Sequence, residues 1–307
     1  MIIPFTTESI EQDMSNCTMV ISRNVKGKNT FVTEAHVQLM DFGEAVGAEG
    51  WTVDNGALRI DMGHNGGFYE FRGIESINGA VYAVGTHSCR LGGPDRVTMH
   101  KGKSLTDAFG VCISSHVNYE KEALPVALKS LRKAGVDNSK VMVVVGGCRE
   151  EEDGNEEDLD GIRLVRRRLS AMGFTALGEA VNDESPKYWV LLHDTCVVDK
   201  DFEDKASGID VGMNPDVVLF SGLSEGLEIG LYSSEYLSKG IVEIDGRPEG
   251  MLKRIVDNAS VVIDGVSMTS SEPERDVYGS GIMRKVLTMG SFGVRKNTRR
   301  GRGKKRP

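Results

Sequence analysis

From Phe109 onward, apolar runs of strand length alternate with segments of helical spacing, and this alternation constrains the fold more than any other feature of the chain. GVCISSHV is the first run. YEKEALPVALKSLRKAG follows, with Ala123, Leu124, Ala127, Leu128 and Leu131 spaced along one helix face and Gly135 as its stop. Pro125 falls in the early turns of that helix, where a missing N–H costs least. SKVMVVVGG, KYWVLLHDTCVVD and PDVVLFSG are the next apolar runs. A helix is predicted for GIRLVRRRLSAMG, from Ile162, Leu164, Val165 and Leu169, and a final one for GIMRKVLTMG. Glu150 to Asp160, with eight Asp/Glu in eleven residues, is expected to be a solvated loop. The pattern implies an α/β fold with a mostly parallel sheet and helices on both faces. Ligands in such sheets bind beyond the carboxyl ends of the strands. That rule nominates Ser114 to Asn118, Gly146 to Arg149, His193 to Asp199 and Ser221 to Gly230.

Residues 1–108 have a different texture and are expected to form a β-rich accessory region. ALRIDM, GGFYEFRGI and GAVYAVGTHSC read as short strands, punctuated by Asn55-Gly56, Asn65-Gly66 and Asn78-Gly79. Asn-Gly is a strong hairpin signal because both residues tolerate positive φ. An antiparallel meander or small sandwich fits. His64 and His87 are expected to be scattered structural histidines rather than ligands.

Composition narrows the class. At 39% hydrophobic and 27% charged residues, the 307-residue chain suits a globular protein with a sizeable core. Cys17, Cys89, Cys112, Cys148 and Cys196 form no C-x-x-C pair, so reduced thiols are expected rather than a disulfide frame or zinc site. There is no apolar run of about 18 residues. The opening MIIPFTTESIEQDMSN lacks the basic and apolar regions of a secretory leader. A cytoplasmic location is therefore expected, in a host cytosol or nucleoid if the source is viral. The net charge of −8 conceals an asymmetry. Arg295 to Pro307 holds eight of the 37 Lys/Arg and no acid, which leaves 29 bases against 45 acids, or −16, before it. Residues 295–307 are expected to be a disordered tail, with Arg295, Lys296, Arg299, Arg300, Arg302, Lys304, Lys305 and Arg306 available to nucleic-acid phosphates. A merely solubilising tail is the plainer alternative.

Single residues sharpen the site. Ser114, Ser115 and His116 end the first strand, where hydroxyls can meet a nucleotide; capping of the next helix by Ser115 or Asn118 is the structural alternative. Gly146 and Gly147 end the second and permit either close ligand approach or a simple turn. G-x-G-x-x-G and G-x-x-x-x-G-K-[ST] are both absent, which disfavours dinucleotide and Walker-type ATP binding. The third strand runs into His193 and Asp194. A carboxylate there is costly without a partner, and a divalent cation on a sugar-nucleotide diphosphate would be one; capping a turn is another.

Taken in order, ISSHVNYEKEALPVALKSLRKAG, VMVVVGG, KYWVLLHDTCVV, DVVLFSG and EGLEIGLYSSEYL resemble the glycosyltransferase A-type (GT-A) fold, which is Rossmann-like. The similarity is greatest to family-2-like enzymes of large DNA viruses and bacteriophages, some of which glycosylate structural glycoproteins while others glucosylate hydroxymethylated pyrimidines in DNA. It covers residues 109–294. The resemblance implies a hexosyltransferase using a UDP-sugar or another nucleoside-diphosphate sugar, with Mg²⁺ or Mn²⁺. Ser114, Ser115 and Asp194 fall on the family's donor-binding positions; His116, Gly146, Gly147 and His193 join the donor-binding candidates from their places at the strand ends, and Arg284 from its place after the Gly-rich stretch Arg275 to Gly281. Asp194 matches the first acid of the family's D-x-D motif, whereas Cys196 stands in place of the second. Asp194 and Cys196 are thus the metal-ligand candidates, with Thr195, Asp199 or the diphosphate itself as compensation. Glu225, then Glu228, match the acceptor-side general base. The plainer alternative is a helix-start acid favoured by the dipole.

Modified DNA, held through the basic tail, is the sharper expectation for the acceptor. The rival class is a non-catalytic nucleic-acid-binding or assembly protein on a degenerate transferase scaffold. A sugar-phosphate nucleotidyltransferase is disfavoured because no long Gly-rich, Arg- and Lys-bearing loop follows the first strand.

Overall fold

The structure, a computed structural model, describes residues 4–7, 10, 14, 17–24, 30–40, 43–63, 67–77, 80–88, 95–106, 109–171, 173–183, 186–220, 229–239, 259–264, 271–274, 284–289 and 294–299. The chain forms two compact units. The first comprises Met1–Ser104, Ile209–Pro215 and Ser260–Gly265; the second comprises Leu105–Gly208, Asp216–Ala259 and Val266–Pro307. Two short segments from the α/β half of the sequence therefore belong to the β-rich unit.

In the first unit, eight strands come from the N-terminal stretch: β1 (Thr18–Asn24), β2 (Thr30–Leu39), β3 (Ala45–Val46), β4 (Gly50–Asp54), β5 (Ala57–Asp61), β6 (Phe68–Ile77), β7 (Ala80–Ser88) and β8 (Asp95–Lys101). β4 to β8 form an antiparallel meander, and β1 then pairs with both β8 and β2. Asn55 and Gly56 have φ of 50° and 76° and join β4 to β5, the turn their sequence predicts. Asn65-Gly66 and Asn78-Gly79 lie outside the described residues. The core gathers Ile21, Val37, Leu39, Leu58, Ile60 and Phe71 with their buried neighbours. His87 stacks on Tyr69, ring centroids 4.3 Å apart, and Tyr69 Oη donates to Glu34 Oε2 at 3.2 Å. His64 lies outside the described residues.

The second unit begins with β9 (Phe109–His116), α1 (Leu124–Lys133), β10 (Val141–Gly146), β11 (Glu156–Leu159), β12 (Ile162–Arg167), α2 (Gly173–Ala180), β13 (Tyr188–His193), β14 (Cys196–Val198), α3 (Phe202–Ser207), β15 (Val217–Leu219), β16 (Gly230–Ser233) and α4 (Ser234–Ser238). β12, β10, β9 and β13 lie side by side in that order and run parallel. β11 joins antiparallel at one side, β16 and β15 at the other. The α/β class is as expected, with a sheet that is mixed rather than uniformly parallel. Every residue of β10 and β13 is buried, as a strand covered on both faces requires. α1 buries Leu124, Ala127, Leu128 and Leu131, has Pro125 in its first turn, and is followed by Gly135 at φ +86°. α2 packs on β9, β10 and β13.

Two sequence expectations are corrected here. Residues 162–167 form β12, not a helix. Asp160 and Gly161, at φ of 54° and 85°, make a two-residue turn that folds β12 back on β11. The acidic run is thus not a plain loop. Its fully exposed β11 is an edge strand, with Glu156 and Glu157 paired to Arg163 and Arg166.

After residue 259 the chain adds β17 (Val261–Asp264), parallel to β2 in the first unit. The second unit then closes with β18 (Ser271–Glu274), β19 (Arg284–Met289) and β20 (Val294–Arg299). These pair antiparallel in the order β14-β20-β19-β18. GIMRKVLTMG therefore contributes a strand rather than a helix. Arg295, Lys296 and Arg299, assigned to a disordered tail, belong to β20. Two neighbouring strands satisfy its backbone, which no isolated tail can do. Arg300, Arg302, Lys304, Lys305 and Arg306 lie outside the described residues.

Candidate functional site

The four parallel strands follow one another along the chain as β9, β10, β12 and β13 but lie in space as β12-β10-β9-β13. Strand order reverses between β9 and β13. At such a switch point the connections leave in opposite directions and open a crevice at the carboxyl ends. Ser114, Ser115 and His116 reach this end on β9, Gly146 on β10, Arg167 on β12, and His193 and Asp194 on or just after β13. The register sets Gly146 beside His116 and Arg167, and His193 beside Ser114.

Asp194 is fixed across the switch point. Its backbone N–H donates to Ser114 O at 2.9 Å, continuing the β9–β13 ladder by one step. Ser115 Oγ donates to Asp194 Oδ2 at 2.8 Å. Asp194 is only 6% exposed, as are Ser114 and Ser115. A buried carboxylate costs several kcal/mol unless hydrogen-bonded, so Ser115 does structural work for the acid beside it. The sequence nominated both residues but gave no reason to couple them.

His116 and Gly147 form a second contact. Asn118 N–H donates to His116 Nδ1 at 3.1 Å, so the neutral ring carries its proton on Nε2. A Cβ on Gly147 would lie 2.5 Å from Nε2, and Gly147 has φ of +79°. Glycine is thus demanded twice, by backbone conformation and by the ring above it. Tyr119, which sequence reading passed over, stands with its ring centroid 6.1 Å from that of His116 and remains 39% exposed. Arg167 was also missed, because its segment was read as a helix. Both guanidinium nitrogens of a forked pair, Nε and Nη2, bind the buried Glu179 carboxylate of α2.

The turn after Asp194 shows what Cys196 does. His193 N–H donates to Cys196 Sγ at 3.4 Å, and Cys196 is buried. Its sulfur closes the turn at the position where the sequence comparison expected a second acid. Among the described residues, no group of three or more His, Cys, Asp or Glu is placed to hold a metal ion. One carboxylate and an inward-turned sulfur do not fit a divalent-cation site. Burial within β9 pushes the Cys112 thiol well above the usual thiol range.

Glu225 and Glu228 lie outside the described residues. Arg284 is placed by its backbone on β19, opposite Glu274 and Arg299. Among the described residues no helix is long and apolar enough to cross a membrane.

The sequence matches no protein-family model and no curated protein. Among solved structures, similarity is found to S. aureus TarS residues 1–349, at 14% identity over 52% of this chain and 58% of that one, with a TM-score of 0.38. The same fragment in complex with UDP-GlcNAc aligns over 56% of this chain and 60% of its own length, at 14% identity and a TM-score of 0.38. A putative glucose-1-phosphate thymidylyltransferase from Bacillus anthracis aligns at 12% identity over 52% and 87% of the two chains, with a TM-score of 0.34. The chain thus spans under two thirds of the TarS fragment. Likenesses this weak carry no functional weight, and the fold stands on its own strand order.

Proposed function

We propose that the second unit is a glycosyltransferase that binds a nucleoside-diphosphate sugar over the carboxyl ends of β9, β10 and β13. The observation that carries this reading is the hydrogen bond joining Ser115 to the buried Asp194 across the switch point. His116, Gly147 and the exposed face of Tyr119 border the same crevice and suit a flat nucleotide base and its ribose. In the transfer, the acceptor hydroxyl oxygen bonds to the sugar's anomeric carbon, and the bond from that carbon to the diphosphate oxygen breaks. The diphosphate leaves with the bonding pair. In an inverting reaction the hydroxyl proton passes to a carboxylate, for which Glu225 is the first candidate and Glu228 the second.

Mg²⁺ or Mn²⁺ on the diphosphate is part of the family resemblance, but the described residues do not support a protein-held metal, and no step here depends on one. For the acceptor, the finer reading is a hydroxymethylated base in DNA, motivated by the basic residues at positions 295–306. A non-catalytic scaffold is the second reading, favoured by the turn-closing role of Cys196.

A thermal-shift screen of UDP-, GDP-, dTDP- and CMP-sugars, each with and without Mn²⁺, tests donor binding. A donor at about 100 times its Kd adds roughly 2.7 kcal/mol of stability. Stabilisation by one nucleotide class, lost in Asp194→Ala, is the expected result. No shift with any donor would overturn the transferase reading, and binding without turnover on any hydroxyl acceptor would favour the scaffold.

A further inference from the structure

Arg166 of β12 is held at three points. Its Nη1 and Nη2 donate to the two carboxylate oxygens of Glu120 at 3.1 and 2.7 Å, and its Nε donates to Glu157 Oε1 of β11 at 3.1 Å. The Arg166 and Glu120 side chains are 19% and 21% exposed, whereas Arg132–Asp160 and Arg168–Glu150 are far more open pairs. An ion pair in full solvent contributes little. A two-pronged pair largely out of water fixes geometry as well as charge. Local secondary structure does not call for it. The β11–β12 hairpin already has its Asp160-Gly161 turn and its Arg163–Glu156 pair. Glu120 does not cap α1 either, since the N-cap is Ala123 with no side-chain cap bond. The pair instead joins parts of the chain 46 residues apart, one following β9 and one on β12, with β10 between those strands.

Glu120 lies in the turn of residues 117–123 that leads from β9 to α1. Its neighbour Tyr119 is the exposed ring beside His116 at the crevice. Much of the turn's backbone bonding is internal: Tyr119 and Glu120 N–H both donate to His116 O, at 2.8 and 2.9 Å, and Ala123 N–H donates to Tyr119 O at 2.8 Å. Val117 N–H donates to Gly146 O at 3.1 Å and ties the start of the turn to β10. Arg166 ties its middle to β12. In the register, Arg166, Val145 and Ser115 share one row across β12, β10 and β9. Their side chains therefore leave the sheet on the same face. From that row Ser115 bonds Asp194. One end of the row holds the acid of the crevice, and the other holds the turn that carries Tyr119.

We propose that the Glu120–Arg166 pair is a positioning device that sets Tyr119 for a nucleotide base in the crevice. The inference rests on reading that crevice as a nucleotide site, and it adds residues that govern affinity without touching the nucleotide. A ring on a turn free to pivot loses conformational entropy when a ligand orders it; a turn clamped beforehand does not. Glu157 has a part in this. By holding Nε, it turns the guanidinium fork so that both Nη atoms face Glu120. Lysine, a point charge without a fork, cannot bind two carboxylates in that geometry.

The test is calorimetric titration of UDP, GDP, dTDP and CMP into the full chain, without acceptor. For the nucleotide that binds wild type, Glu120→Gln and Arg166→Lys should each weaken affinity by about 10-fold. Arg163→Gln, on the same strand but paired with Glu156, should match wild type. Tyr119→Ala should also weaken binding. Adding Glu120→Gln to it should then cost less than about 2-fold more, because the pair acts through Tyr119. A merely structural pair would lower affinity equally in both backgrounds, and that result would overturn the proposal. So would wild-type affinity in Glu120→Gln or in Tyr119→Ala. Glu120→Gln keeps the side chain's shape, so the test stands even if Arg166→Lys does not fold. Failure of the two readings looks different. Nucleotide binding that is unchanged by these substitutions rejects the positioning device and keeps the donor site, whereas no binding to wild type rejects both.

Discussion

Asp194 is nearly out of water, and Ser115 Oγ donates to its side chain across the β9–β13 pair. Ser115→Ala should therefore cost about 1–3 kcal/mol in urea unfolding, the penalty of a buried acceptor that loses its donor. Asp194→Asn should leave the melting curve within about 1 kcal/mol of wild type but lower transferase turnover by at least about 100-fold. A variant that retains turnover would remove Asp194 from the mechanism. At Gly147, alanine must adopt φ of +79° beneath the His116 ring. Gly147→Ala should destabilise by about 1–2 kcal/mol from backbone strain alone. Pairing it with His116→Ala should recover part of that loss, a non-additivity that a double-mutant cycle measures. Ser115 and Asp194 were readable as candidates because hydroxyls and acids at strand ends are few. Their bond was not, since 79 residues separate them and only the β9–β13 pairing brings them together.

Among the elements, β12 carries the clearest lesson. Ile162, Leu164, Val165 and Leu169 fit a helix stripe, yet Ile162 and Leu164 also alternate with polar neighbours as in a strand. The turn decides between the two. Asp160-Gly161 at positive φ starts a hairpin, and the arginines of β12 meet the acids of β11 across it. Gly161→Val should destabilise the protein by about 1–2 kcal/mol, because a β-branched residue resists left-handed backbone. If the segment were helical, the same change would be close to neutral; chemical denaturation separates the cases. α1 was legible because its apolar spacing, early proline and terminal glycine all agree. β19 and β20 were not, because a run such as RKVLTM suits helix or strand, and pairing with β14 selects the strand.

For the molecule as a whole, the two units are not two consecutive lengths of chain. The β-rich unit takes β17 against β2 and residues Ile209–Pro215 against β8. Asp210 anchors the latter. It meets His100 Nε2 at 2.6 Å and accepts the backbone N–H groups of Lys103 at 2.7 Å and Gly212 at 3.1 Å. Burial alone would raise its pKa, but these bonds, first that to His100, hold it below the usual carboxylate value. A depressed folded-state pKa stabilises the protein above the unfolded value, about 3.9 for Asp, and that contribution disappears as pH falls through the folded one. Urea midpoints should therefore show an acid-side loss of stability below about pH 4 that is reduced in Asp210→Ala, itself less stable by about 2 kcal/mol at neutral pH.

What the sequence determined by itself is local: strand-length apolar runs, one well-punctuated helix, the Asn55-Gly56 turn, and a short set of polar residues at strand ends. These follow from periodicity and turn chemistry, which act between near neighbours. Tertiary structure alone decided which strands lie together, and so everything that depends on long-range pairing. The β12-β10-β9-β13 order, the Ser115–Asp194 bond, the inward turn of Cys196 and the pairing of Val294 to Lys296 with β14 all rest on backbone partners that an isolated segment lacks.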